Sequence, residues 1–355
     1  MKFFNSLYYL IIYIAIILCG CNQIVEPDSN VIRFSYSNET RTVESDYADT
    51  YGTTATIWGY NSNGYVYGST ALGMEANLNL DDKTFSVPSI EGKAPEYWNS
   101  DSYHFYSLWP PIKNSSDGTS AGIRFENEPE SKGLYFYFNT DSQKDQLVSY
   151  FPISGNNAAS RIAPVEFEYV HILSKLFFNI QANTANSQDD IALLSFSISN
   201  VYFRGTCSYN QKSTPEWSVS NRDKKAITLY QNNVTYATDD TEKTSGTLEK
   251  APLKIRSTQE GTEVDADGYL IVPQTVPWNE IPIEFSYGFL NDEGKVYLTK
   301  SVKTTLPTQK IKTWEQGKVY RYYIYLAAES NNIVFGTPTV SDWETKRTGA
   351  TIIIQ

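Results

Sequence analysis

The chain has 355 residues, with 29 Lys and Arg against 40 Asp and Glu, for a formal net charge of −11. That balance lacks the basic footprint of a nucleic-acid binder and excludes nucleic acid as the partner. The 27 Tyr, 17 Phe and 7 Trp beside only 2 Met favour pleated sheet over long helices, and the length suggests about two domains at ~100–200 residues each.

Lys2 is followed by an almost purely apolar run over 7–18 and then by Leu18-Cys19-Gly20-Cys21. A run of about a dozen residues is shorter than the roughly 20 a membrane-spanning helix needs, and it fits the apolar core of a secretory signal. Leu18-Cys19-Gly20-Cys21 resembles the bacterial lipobox, which implies a signal peptide over 1–20, a lipid on Cys21 and a polar, Pro-containing tether over 21–30. The alternative is an uncleaved N-terminal anchor. Removing the one charge in 1–20, Lys2, takes the net charge from −11 to −12. With Cys21 lipidated, Cys207 has no partner cysteine, so no disulfide framework forms; it reads as a small, half-buried strand residue.

Strand signals then recur at short intervals. Ile32, Phe34 and Tyr36 alternate with polar neighbours, and 54–60 is a second run, closed by the Asn-Ser-Asn-Gly turn at 61–64. Residues 103–108 and 134–138 are short aromatic strands. Val165, Phe167 and Tyr169 alternate, then Leu176, Phe178 and Ile180, with a phase slip at Ser174-Lys175 that a bulge explains. Leu194, Phe196 and Ile198 follow. Residues 281–289 form the clearest strand, and Asn291-Asp292-Glu293-Gly294 turns it back into 296–302 as a hairpin. Strands over 319–326, 333–335 and 350–354 end the chain. Residues 232–250 read as a long exposed loop. Many short strands between polar turns imply an all-β protein of packed sandwiches. The small, polar stretch 154–161 is the expected division between an N-terminal sandwich over 31–160 and a C-terminal one over 161–355.

Catalytic and metal-binding patterns are weak. Gly118-Thr119-Ser120-Ala121-Gly122 fits G-x-S-x-G by letters, but that motif works only on a strand-to-helix elbow, and here it precedes a strand at 123–125. His104 and His171, the only histidines, lie in or at the ends of strands and read as packed or edge residues. Asp265-Ala266-Asp267-Gly268 begins like a calcium loop, yet Tyr269 and Val276 stand where an oxygen ligand and a Glu are required, so it reads as a turn before a strand at 269–272. No catalytic residue, metal ligand or cofactor is expected. Trp58, Trp98 and Trp217 suit sugar stacking or core packing.

Several pieces in order resemble the fimbrillin family of Bacteroidales, the FimA/Mfa-like subunits of type V pili. These are the lipobox at 18–21, Arg41-Thr42 before Ala55-Thr56-Ile57-Trp58-Gly59-Tyr60, the stretch Phe167-Glu168-Tyr169-Val170-His171-Ile172-Leu173-Ser174-Lys175-Leu176, Pro273-Gln274-Thr275, Trp314-Glu315-Gln316-Gly317-Lys318-Val319-Tyr320 and Val340-Ser341-Asp342-Trp343. The resemblance implies two transthyretin-like β-sandwich domains in tandem and a non-enzymatic function. It implies export as a lipoprotein to the outer membrane, proteolytic removal of the N-terminal strand, and joining to other pilus subunits by strand exchange. Under it, Arg41 is the cleavage site, with Arg33 second because it interrupts the strand at 32–36. The donor strand is Ala350, Thr351, Ile352, Ile353 and Ile354, for which an ordinary last strand of its own domain is the alternative. A host or bacterial surface ligand is left open. The rival reading is a surface glycan-binding outer-membrane lipoprotein.

Overall fold

Strands build most of the described part of the protein. In this computed structural model the described residues are 31–36, 52–68, 73–79, 81–87, 96–112, 120–124, 133–158, 160–161, 163–183, 190–209, 214–237, 244–255, 261–276, 281–307, 311–327, 332–343 and 352–353. They form five sheets.

A nine-stranded sheet runs in the order β10 (Val165–Phe167), β1 (Phe34–Tyr36), β5 (Thr84–Ser86), β4 (Met74–Asn79), β2 (Thr54–Asn61), β6 (Tyr103–Trp109), β9 (Leu147–Ile153), β11 (Val170–His171), with β3 (Gly64–Tyr67) also on β2. Three strands separate β1 from β6 in that order, yet the rings of Phe34 and Phe105 lie 5.6 Å apart. The sheet therefore rolls over and closes its inner face on a core that includes Phe34, Phe85, Phe105 and Phe167.

Its outer face carries Trp58, Tyr106 and Leu108 and packs on a four-stranded sheet ordered β15 (Glu216–Ser218), β14 (Arg204–Tyr209), β8 (Gly133–Asn139), β7 (Ser120–Arg124). This sheet joins distant parts of the chain, with Cys207 opposite Phe136 and Thr206 opposite Tyr137. Cys207 is fully buried rather than half-buried, and burial pushes its thiol pKa up. Ser120 opens a strand paired to β8, so the G-x-S-x-G letters do not stand on a strand-to-helix elbow.

Two seven-stranded sheets enclose the largest core. One is ordered β20 (Thr262–Glu263), β12 (Ser174–Asn183), β26 (Lys318–Ala327), β28 (Thr339–Asp342), β29 (Ile352–Ile353), with β21 (Tyr269–Ile271) on β12 and β27 (Asn332–Phe335) on β26. The other is ordered β16 (Lys224–Gln231), β13 (Asp190–Tyr202), β23 (Pro282–Leu290), β24 (Val296–Thr305), β18 (Gly246–Leu248), β17 (Val234–Tyr236), with β19 (Leu253–Lys254) on β13. Phe178 of the first and Phe196 of the second meet at 4.9 Å between ring centres. A two-stranded ribbon, β22 (Gln274–Thr275) with β25 (Thr313–Trp314), sits beside them.

The β23–β24 hairpin turns where the sequence places it. Asn291 Oδ1 accepts from the N–H groups of Glu293 and Lys295, and Gly294 takes the positive φ of 75° that a side chain disfavours. Two further expectations change. The phase slip at Ser174-Lys175 is not a bulge: Val170–His171 belongs to the nine-stranded sheet, Ile172 and Leu173 bury completely in the crossing, and Ser174 starts a strand of another sheet. The segment 232–250 is not all loop, because β17 and β18 pair within it, Val234 opposite Leu248. Both read as loop because each strand is only three residues long. The only α-helix among the described residues is the single turn Gly155–Ala158.

Candidate functional site: an inserted first strand, an edge last strand and the junction between them

The first strand occupies an interior place. Phe34 pairs with Val165 of β10 in parallel and with Phe85 of β5 in antiparallel register, and Tyr36 stands opposite Phe167. Its backbone bonds run to both sides. Arg33 C=O accepts from Val165 N–H at 2.7 Å, Ile32 N–H donates to Glu96 C=O at 2.9 Å, and Tyr36 N–H donates to Lys83 C=O at 3.1 Å. The alternation seen in the sequence sets the orientation: Ile32, Phe34 and Tyr36 point into the core at 4%, 2% and 7% exposure, while Arg33 is exposed. Arg41 and Cys21 lie outside the described residues.

Each inward side chain has its own surroundings. Phe34 meets the edges of Tyr67 at 5.0 Å and Phe105 at 5.6 Å and stacks on Phe167 at 5.8 Å with 5° between planes. Tyr36 meets Phe85 at 5.5 Å and Trp109 at 6.1 Å. Gly59 makes this possible: a Cβ there would stand 2.7 Å from Cε1 of Phe105, so a side chain would displace the ring that floors the Phe34 pocket.

At the other end of the chain, Ile352 pairs with Val340 and Ile353 with Thr339, which makes β29 the outermost strand of its sheet. Ala350, Thr351 and Ile354 lie outside the described residues.

Three of the signature pieces, 167–176, 314–320 and 340–343, meet at one junction. The ring of His171 stacks on Trp343 at 4.2 Å with 4° between planes, and its Nδ1 lies 2.6 Å from Asp145 Oδ2. Both side chains of that hydrogen-bonded pair are nearly buried, at 9% and 8% exposure. Lys175 Nζ stands 4.9 Å from the Trp343 ring centre, and burial lowers its pKa against the pull of Asp145, Asp267 and Asp265. Gly317 N–H donates to Leu173 C=O, Trp343 N–H to Gly317 C=O, and Ser174 Oγ–H to Glu315 C=O, all at 2.8 Å.

Two glutamines act as side-chain substitutes for a strand. Gln274 accepts from Tyr202 N–H at 3.0 Å and donates to Tyr202 C=O at 3.0 Å. Gln143 does the same to Leu270, at 2.8 and 3.0 Å. Gln274 was visible in its three-residue motif, whereas Gln143 and Asp145 carry no sequence signal because their partners lie far along the chain. His104 Nδ1 and Tyr150 Oη share a hydrogen bond at 2.7 Å.

Substitution of His171 tests the junction. His171→Ala removes a charge-assisted bond to Asp145 and the stack on Trp343, and about 2 kcal/mol of stability is expected to go with them. Urea unfolding measures this; a loss under about 0.5 kcal/mol would show that the junction holds without the imidazole.

Trp58 and Trp98 are 1% and 5% exposed, and Trp217 donates its indole N–H to Ile172 C=O at 3.0 Å. Trp58 and Trp98 pack internally, and Trp217, partly exposed, sets its ring against Phe136 at 6.1 Å. Among the described residues, no group of three or more His, Cys, Asp or Glu could hold a metal ion, and no helix is long and apolar enough to cross a membrane.

One solved structure shares this fold over most of its length. A fimbrial protein from Bacteroides vulgatus superposes with a TM-score of 0.60 at 12% identity, over 88% of this chain and 99% of that one. Candidate cell adhesion proteins from Bacteroides ovatus and Bacteroides uniformis, each 11% identical over 89% of this chain and 97% and 100% of theirs, give TM-scores of 0.48 and 0.47. No curated protein sequence matches significantly. The sequence profile described as fimbrillin-like matches residues 40–343, a span that holds the junction of His171, Ser174, Gly317 and Trp343, and on that match the chain belongs to the fimbrillin-like family.

Proposed function

We propose that this protein is a structural or adhesive subunit of a surface pilus, exported as a lipoprotein through Cys21 and joined to other subunits by strand exchange. The observation that carries the reading is the place of β1, an interior strand that connects to the described chain only through 37–51. Its removal would leave β5 and β10 each with an unpaired edge and would open an apolar slot between them, which a strand from another chain fills with ladder bonds and alternate side chains. Such a head-to-tail contact propagates as a filament. The protein needs no active site for this role. Two sandwiches in tandem, one around each of the two larger cores, fit the reading.

Arg41 suits the cut better than Arg33. A protease takes an extended, unpaired backbone, and the peptide group after Arg33 is engaged with Val165. Arg41→Ala in the producing cell is expected to leave β1 on the mature protein and to abolish the pilus ladder on SDS gels. Mass spectrometry of assembled pili reads the N-terminus directly. A subunit found in pili with lipidated Cys21 still attached overturns the proposed maturation.

A further inference from the structure

The slot filled by β1 is lined for a particular strand. Reading along β1, it takes an aliphatic residue at position 32, an aromatic one at 34 and an aromatic one at 36. The walls are rings held from behind. Phe105 is braced by Trp98 at 5.8 Å and by Tyr103 at 5.8 Å, and Phe167 by Phe85 and Tyr169, both at 6.1 Å. Walls braced in this way do not collapse around a smaller guest, so an aliphatic side chain in the place of Phe34 or Tyr36 leaves a void instead of a contact.

The chain's own C-terminal strand does not match. In Ala350-Thr351-Ile352-Ile353-Ile354-Gln355, one alternation presents Ala350, Ile352 and Ile354, and the other presents Thr351, Ile353 and Gln355. Neither carries an aromatic residue, and the second puts Thr and Gln toward the core. Reversing the strand direction changes nothing, since the tail has no ring at any position.

Resting on the strand-exchange reading above, we propose that the emptied slot is filled by an extended segment of a different subunit, one that carries aliphatic, aromatic and aromatic side chains at alternate positions, and not by the tail of a second copy of this chain. The protein therefore joins a mixed assembly and does not polymerise with itself. If Ala350 to Ile354 is donated, it goes to a subunit with an aliphatic slot.

The test uses the full chain with a protease recognition sequence placed within 37–51. After cutting, the N-terminal fragment is displaced in mild urea and three synthetic peptides are offered: one copying 29–38, the same peptide with F34I and Y36I, and one copying 346–355. Peptide anisotropy and the thermal midpoint of the cut protein are read. The 29–38 peptide is expected to bind and to restore the midpoint, with the other two at least about 100-fold weaker. Tail binding within about threefold of the 29–38 peptide overturns the proposal and leaves strand exchange standing. Binding by none of the three, in a cut protein that stays folded without its first strand, overturns strand exchange and this proposal together. A second variant needs no cut: the uncut chain with 32–36 replaced by the sequence of 350–354. Stability equal to that of the original overturns the proposal; a thermal midpoint lowered by several degrees supports it.

Discussion

Phe105→Ala is expected to destabilise the protein by about 3–5 kcal/mol, the range for truncating a fully buried aromatic residue. Phe105 is 0% exposed and touches rings on every side: Phe34, Tyr67, Trp98 and Tyr103 all lie within 6.4 Å of it, centre to centre. These neighbours come from three separate parts of the chain, around residues 34, 67 and 98–103, so the hole left by the substitution cannot be closed by shifting one strand. Urea unfolding monitored by far-UV circular dichroism measures the loss. Val334→Ala, at a position 64% exposed, is the matched control and should stay within about 0.5 kcal/mol. The truncation also removes the floor of the Phe34 pocket, so the cut protein should bind a replacement strand poorly. A Phe105→Ala protein within 1 kcal/mol of the original would mean that the rolled-over sheet is held by its ladder and not by its rings.

Much of this architecture could be read from residue order because local chemistry decides it. The alternation at 32, 34 and 36 fixed which face of β1 is buried, and Asn291 with Gly294 fixed the hairpin of β23 and β24. The sequence could not say which strands neighbour which. β1 takes β5 and β10 as partners, the latter some 130 residues away, and in parallel register, which no turn signal announces. Nor could it say that β8 and β14 pair across the chain. Short strands failed for a different reason: the hairpin of β17 and β18 offers three residues on each side, too few for a period to show. The candidate site divides in the same way. His171, Ser174, Gly317 and Trp343 were visible in separate motifs, and their convergence on one junction was not. Asp145, which holds His171, lay in a stretch with no pattern at all.

The second large effect is expected at high pH. Burial raises the pKa of many tyrosines here. Tyr209 and Tyr320 are pushed up to about 12, and Tyr67, Tyr150, Tyr169, Tyr269 and Tyr322 go higher still, each chiefly through desolvation of its phenolate. A group whose folded pKa lies above its unfolded value of 10 gives stability that is whole below pH 10 and is lost as pH rises through the folded pKa. Between pH 10 and 12 the unfolded chain releases these protons while the folded one keeps them. Each two-unit rise is worth at most about 2.7 kcal/mol at pH 12, and about half that for rings partly open to solvent. Lys175 and Arg161 oppose the trend, since a lowered pKa gives a gain in stability as pH rises toward the ordinary value of 10.5 or 12.5, but they are two groups against seven. Summed over the tyrosines, the loss reaches the ~5–15 kcal/mol by which a typical native state is stable. Cooperative unfolding is therefore expected to begin above pH 10 and to finish by about pH 12, with phenolate absorbance and loss of sheet signal rising together. Smooth tyrosine titration centred near pH 10 in a protein that keeps its circular dichroism at pH 12 would show that these rings are open to water, and the aromatic cores described above could not then stand as they do.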